Sequence, residues 1–95
     1  MAALWIATVD VTDADEYSKY AAIASEVIPA HGGVFIARAG RYVQLEGRER
    51  ARNVVARFPD IESAVAAYND PRYQEAVQIA KSASEREIVV VELDD

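Results

Sequence analysis

The chain has 95 residues, with 10 basic against 16 acidic side chains and a net charge of −6 at neutral pH. That length makes one small domain, and the acid excess opposes binding to a phosphate backbone or an anionic membrane surface, so no nucleic acid and no membrane partner is expected. The absence of cysteine removes disulfides, thiolate metal sites and a cysteine nucleophile, and fits a reducing, cytoplasmic setting.

An apolar fraction of 52% beside 27% charged residues is that of a folded globular protein. The amino terminus lacks the basic run of a secretory signal, and no apolar stretch approaches the ~20 residues needed to cross a bilayer. From Ala3 to Val11 the residues alternate as in a strand, with Leu4 and Ile6 on one side and Trp5, Ala7, Val9 and Val11 on the other. Thr12-Asp13 offers side-chain acceptors to a helix start, and the acids Asp13, Asp15 and Glu16 suit the positive end of its dipole. Tyr17, Tyr20, Ala21, Ala24, Val27 and Ile28 then fall at helical spacing. Pro29 and Gly32-Gly33 end that helix near residues 27 to 30, with His31 on the turn.

Val34 to Ala39 reads as a second strand and Arg41 to Glu46, after a turn or bulge at Gly40, as a third extended piece. The charged stretch Gly47 to Ala51 reads as an exposed loop, and Arg52 to Phe58 as a further strand. Pro59-Asp60 opens a short helix with Ile61, Ala64, Val65 and Tyr68 on its buried face. Asn69-Asp70-Pro71 breaks it, because Pro71 disfavours helix at Asp70 and suits the first turn of a new one, which carries Tyr73, Ala76, Val77 and Ala80 inward. Glu87 to Leu93, rich in β-branched residues, closes the chain as a strand.

The order is βαββαβ, a single α+β domain over residues 1–95 with a ferredoxin-like antiparallel sheet and its helices on one face. The other face should then alternate to polar. It does not, since Leu4 and Ile6 oppose Trp5, Ala7 and Val9, and Ile88 and Val90 oppose Val89, Val91 and Leu93. A second copy packing sheet to sheet is the simplest cover, so a homodimer is expected; the alternative is a loop folded across the free face.

His31-Gly32-Gly33, Ile36-Ala37-Arg38-Ala39-Gly40, Leu45-Glu46-Gly47, Arg52 leading to Val54-Val55 and Phe58-Pro59, and Ala67 through Gln74 stand in an order that resembles the domain of unknown function 1330 family. The resemblance implies a dimeric α+β barrel, with a pocket between each sheet and its helices. Wider relatives of that type include cofactor-independent monooxygenases, lactone isomerases, haem-handling enzymes and ligand-sensing domains, and the family itself has no settled activity. The positions it would carry over are Gly32, Gly33, Arg38, Glu46, Arg52, Phe58, Tyr68 and Tyr73.

Among the chemistry-bearing residues, His31 is the single histidine, the residue type suited to general acid–base work near neutral pH, and is the natural general acid or base, or else a cap on helix carbonyls. Glu46 is a second catalytic candidate, able to accept a proton or to hold an arginine in place. Arg38 and Arg52 supply forks that match a carboxylate or enolate, or else join Glu46 in a structural ion-pair cluster. Tyr68 and Tyr73, with Tyr17 and Tyr20, line a pocket or simply pack, and Trp5 is pocket wall or interface core. One histidine and no cysteine exclude a histidine-pair or thiolate metal site and leave only an all-oxygen one open, so no metal is expected; no nucleotide or hydrolase motif occurs, so no cofactor is expected. The reading is a homodimer binding a small molecule, as a cofactor-independent oxygenase or isomerase or as a non-catalytic dimerisation or sensing module.

Overall fold

The computed structural model describes residues 1–94. Strand β1 (Ala3–Val11) alternates as its sequence dictates: Ala3, Trp5, Ala7 and Val9 are buried, while Leu4, Ile6, Thr8 and Asp10 between them are only half-buried. Helix α1 (Ala14–Ala30) is capped by Asp13, whose carboxylate accepts the Glu16 N–H at 3.2 Å. Gly32, at φ +88°, makes the turn out of α1, a conformation that glycine adopts without steric cost. Strands β2 (Val34–Arg38) and β3 (Arg52–Phe58) follow as an antiparallel pair with a bulge between Phe35 and Ala37.

Helix α2 (Ile61–Asn69) is capped by Asp60 through a 2.7 Å bond from the Ser63 N–H. Asp70 ends α2 and caps α3 (Pro71–Ala83), accepting the Arg72 N–H at 2.9 Å, with Pro71 in the first turn as expected. Strand β4 (Ser84–Glu92) then pairs with β1. The sheet runs β2-β3-β1-β4, antiparallel at every step. The inward residues of the helices join Trp5, Ala7 and Val9 in one core, so all three helices cover the same face. This is the ferredoxin-like βαββαβ fold. Among the described residues, no helix is long and apolar enough to cross a membrane.

Four local expectations are corrected. Residues 41–46 form no strand, because the free edge of β3 is already taken by β2; Val43 and Leu45 stand 72% and 87% exposed there. The bulge lies between Phe35 and Ala37 rather than at Gly40, and the chain leaves β2 through Ala39 in the left-handed conformation (φ 60°). The loop before β3 is not wholly solvated: Arg50 is only 8% exposed and bonds Asp10 at 2.8 Å, Glu87 at 3.5 Å and the Glu85 carbonyl at 3.2 Å. Strand β4 starts at Ser84 rather than Glu87, since Glu85 and Glu87 point to the bare face toward these loop arginines and leave Arg86 facing the helices.

The loop thus covers one end of the bare face through Arg48 and Arg50, and no more of it. Leu4, Ile6 and Val55 remain half-buried there, and Val34, Val89 and Val91 are 62%, 57% and 47% exposed. Arg57 separates Val34 from Leu4 in this face, and exposed apolar side chains grouped on one sheet face are characteristic of interaction surfaces.

Candidate functional site

Strand register places two arginines in one row on the helix-facing side. Val9, fully buried, pairs with Arg52 on β3 and with Arg86 on β4, so the two side chains flank it beneath the helices. Tyr17 and Tyr20 of α1 and Tyr73 of α3 lie over this row. The Tyr20 and Tyr73 hydroxyls are 2.7 Å apart, and Arg86 Nη2 donates to Tyr73 Oη at 3.5 Å. The Arg86 guanidinium also lies 4.4 Å from the Tyr20 ring centre, and that of Arg52 5.6 Å from the Tyr17 ring.

Burial, and then the neighbouring Tyr20, push the Tyr73 and Tyr17 hydroxyl pKa values up, so both are neutral donors at physiological pH. Burial disfavours the charge on Arg86, but the Tyr20 and Tyr73 oxygens outweigh it and raise its pKa overall. None of the ion pairs among the described residues involves Arg38, Arg52 or Arg86. Arg52 Nε and Arg86 Nη1 are buried with no hydrogen-bond partner among the described residues. Buried guanidinium nitrogens without an acceptor are rare in folded proteins and call for an explanation.

Beside Arg86 opens a cleft of ≈ 380 Å³ between the sheet and helices α2 and α3. Trp5, Ile88 and Val90 form its floor, Val65 and Tyr68 of α2 one wall, and Val77 and Lys81 of α3 the other. Trp5 is held by an edge-on contact with Tyr73 at 5.4 Å and by Phe58 at 6.0 Å. Val65 and Tyr68, expected on the buried face of α2, are 47% and 38% exposed; Ala64 and Ala67 fill the core there instead, which leaves the two larger side chains on the cleft. A second, more open cleft of ≈ 480 Å³ runs along α1 past Tyr17, Ser18 and Arg52.

The residues singled out in the sequence are not gathered in one place. Tyr68 lines the cleft. Tyr73, fully buried, lies behind it and reaches it only through Arg86. Arg38 and Arg52 share a void of ≈ 20 Å³ near Phe35 and Tyr17, with Arg38 bonded to Ser25 and stacked 4.1 Å from the Phe35 ring centre. Glu46 is on the exposed loop and joins neither arginine; only its carbonyl is engaged, by the Gln44 side chain.

His31 lies at the end of α1, where its Nε2 pairs with Asp70 at 2.9 Å. That bond, with the Arg72 N–H, holds the Asp70 carboxyl down to about 2. His31 lines none of the three cavities. Arg86 and Lys81 were the residues the sequence left unassigned. The period-two pattern Arg86, Ile88, Val90 is their one signal, since it sets a charge in line with two inward apolar residues.

A sequence model of one protein family matches residues 2–93. The chain belongs to the DUF1330 family, a domain of unknown function. No curated protein matches it. Solved structures share the DUF1330 fold closely. A protein of unknown function from Rhodopseudomonas palustris is 18% identical with a TM-score of 0.81, over 99% of this chain and 83% of its own. A dimeric ferredoxin-like protein of unknown function from Jannaschia sp. CCS1 is 14% identical with a TM-score of 0.78, over 98% of this chain and 100% of its own. SnoaB, a cofactor-independent oxygenase from Streptomyces nogalater, is 14% identical with a TM-score of 0.66, over 99% of this chain and 94% of its own. At these identities the likeness establishes the DUF1330 chain's fold and not its chemistry.

Proposed function

We propose that this protein is a homodimer that binds a small organic molecule in the cleft beneath α2 and α3. The observation that carries the reading is the cleft itself: ≈ 380 Å³ of mostly apolar space with an aromatic floor and a guanidinium at one end. Ligand sites typically combine such a body with a few convergent polar groups. Here Tyr68 and Arg86 touch the ligand, and Tyr73 positions Arg86. Arg38, Arg52, His31 and Glu46 lie outside the cleft and serve the fold in this reading.

Homodimerisation through the bare sheet face is supported by its exposed valines and by relatives described as dimeric, such as the Jannaschia protein. Sedimentation at micromolar concentration is expected to give a species near twice 10.4 kDa. A species at the monomer mass alone would exclude the dimer.

The enzymatic version, a cofactor-independent oxygenase or isomerase, draws on the fold shared with SnoaB. Against it, the cleft lining includes no His, Asp or Glu to take a proton, which favours a binding or sensing role. The test is a panel of small aromatic acids, amides and ketones screened by the fluorescence of Trp5, the single tryptophan. Saturable quenching without oxygen uptake supports binding alone, and quenching with oxygen uptake supports the oxygenase. No saturable response from any compound contradicts both.

A further inference from the structure

The arginines that lie out of bulk water on the two faces of the sheet are partnered differently. On the bare face the loop arginines Arg48 and Arg50 meet acids, with Arg50 bonded to Asp10 at 2.8 Å and Arg48 to Glu85 at 3.0 Å, while Arg57 stands in water. On the helix face Arg52 and Arg86 meet none among the described residues. The charged groups on the cleft are Lys81 and Arg86, both cationic, and its other lining residues are apolar or aromatic.

A guanidinium in a low-dielectric layer with no counter-charge is costly, and its field reaches the adjoining cleft little screened. The tyrosines do not supply the missing charge, because burial keeps the Tyr17 and Tyr73 hydroxyls protonated. An anionic ligand group would supply that charge. A planar carboxylate matches the guanidinium fork in two-point geometry. A phosphate dianion suits the site less: Lys81 lies in the last turn of α3, where the helix dipole presents negative charge.

We infer that the ligand of this cleft is a monocarboxylate with a flat apolar body, its carboxylate held by Arg86 and Lys81 and its body laid against the exposed face of Tyr68 and the side chains of Ile88 and Val90. This rests on the reading of the cleft as the ligand site. It adds a charge and a shape to that reading, and orients the ligand with its acid toward the Tyr20–Tyr73 pair.

The experiment compares benzoate, benzamide, benzylamine and inorganic phosphate on the intact protein, read by the Trp5 indole resonance and by calorimetry. Benzoate is expected to bind about tenfold or more tighter than benzamide, the scale of a charge-assisted pair. Arg86→Met should remove most of that difference, and Lys81→Met, at an exposed position that leaves the core untouched, should reduce it several-fold. Should Arg86→Met fail to fold, Lys81→Met and the loss of benzoate affinity with added salt carry the test. Benzamide binding as well as benzoate, or phosphate or benzylamine binding better, overturns the carboxylate assignment and leaves the cleft as a ligand site. Failure of all four probes to bind overturns both.

Discussion

Gly33→Ala is the substitution whose cost can be worked most directly from the structure. Gly33 is buried where α1 turns into β2, and its N–H donates to the Ile28 carbonyl at 2.9 Å. A Cβ there would lie 2.5 Å from Ile28 Cγ2, 2.8 Å from Phe58 Cζ and 2.9 Å from the Ile28 carbonyl oxygen. Neither side chain has room to retreat, since Ile28 and Phe58 are 2% and 1% exposed and Phe58 stacks on Trp5. Overpacking of this kind costs about 1–3 kcal/mol, and two rigid neighbours place this case near the top of that range. For a domain of this size about 2–3 kcal/mol corresponds to a fall in Tm of about 10–20 °C. The control is Gly40→Ala, where an added Cβ meets nothing within 4 Å, so stability should hold or rise slightly. Thermal and urea denaturation at one fixed protein concentration, monitored by circular dichroism, measure both variants. A Gly33→Ala protein as stable as the wild type, or a Gly40→Ala protein that falls equally, would refute the close approach of Gly33 to Ile28 and Phe58.

Three further outcomes follow from the same geometry. Tyr73→Phe removes the hydroxyl shared by Tyr20 and Arg86 and should cost about 1–2 kcal/mol in urea denaturation, because buried donors lose their acceptor; a neutral result would show that the hydroxyl pair is not formed. Arg50→Met, which removes a buried guanidinium from Asp10 and Glu87, should cost about 1–3 kcal/mol, given the partial exposure of both partners, and should speed proteolysis within residues 39–51; unchanged cleavage would contradict the anchoring of that loop. The Asp70 carboxyl, depressed from 3.8 to about 2 by His31 and the Arg72 N–H, contributes stability that is fully present above its ordinary pKa and lost as pH falls through about 2. The stability gap between wild type and Asp70→Asn should therefore be level above about pH 4 and close on further acidification; a gap that stays constant to pH ~2 would remove that role for Asp70.

The elements that face a core on one side were legible, because burial imposes a period on their sequence. The alternation in β1, the helical spacing of Tyr17, Tyr20, Ala24 and Val27, and the break at Asp70-Pro71 all appear where expected. The bare face was legible too, from the valines opposite Ile88 and Val90. What failed to show was the function of charge. Glu85-Arg86-Glu87 looks like a solvated run, yet its middle residue turns under the helices while its neighbours meet the loop arginines on the other face. Three consecutive charges carry no apolar alternation to reveal this. Glu46 and Arg52 stand close to each other in the chain, but only the long-range pairing of β3 with β1 decides that Arg52 goes inward and Glu46 does not. His31 reads as a free titratable group because its partner Asp70 lies on another helix. Val65 and Tyr68 read as core because helical spacing cannot distinguish a filled interior from the wall of a cleft.

The most direct measurement is the map of benzoate-induced shifts in the amide and indole resonances of the labelled protein. A ligand site beneath α2 and α3 predicts a saturable shift of the Trp5 indole together with amides around Val65, Tyr68, Val77 and Arg86, and little change on β2. Shifts confined to the bare face of the sheet, or none at all with benzoate and its amide and amine analogues, would contradict it.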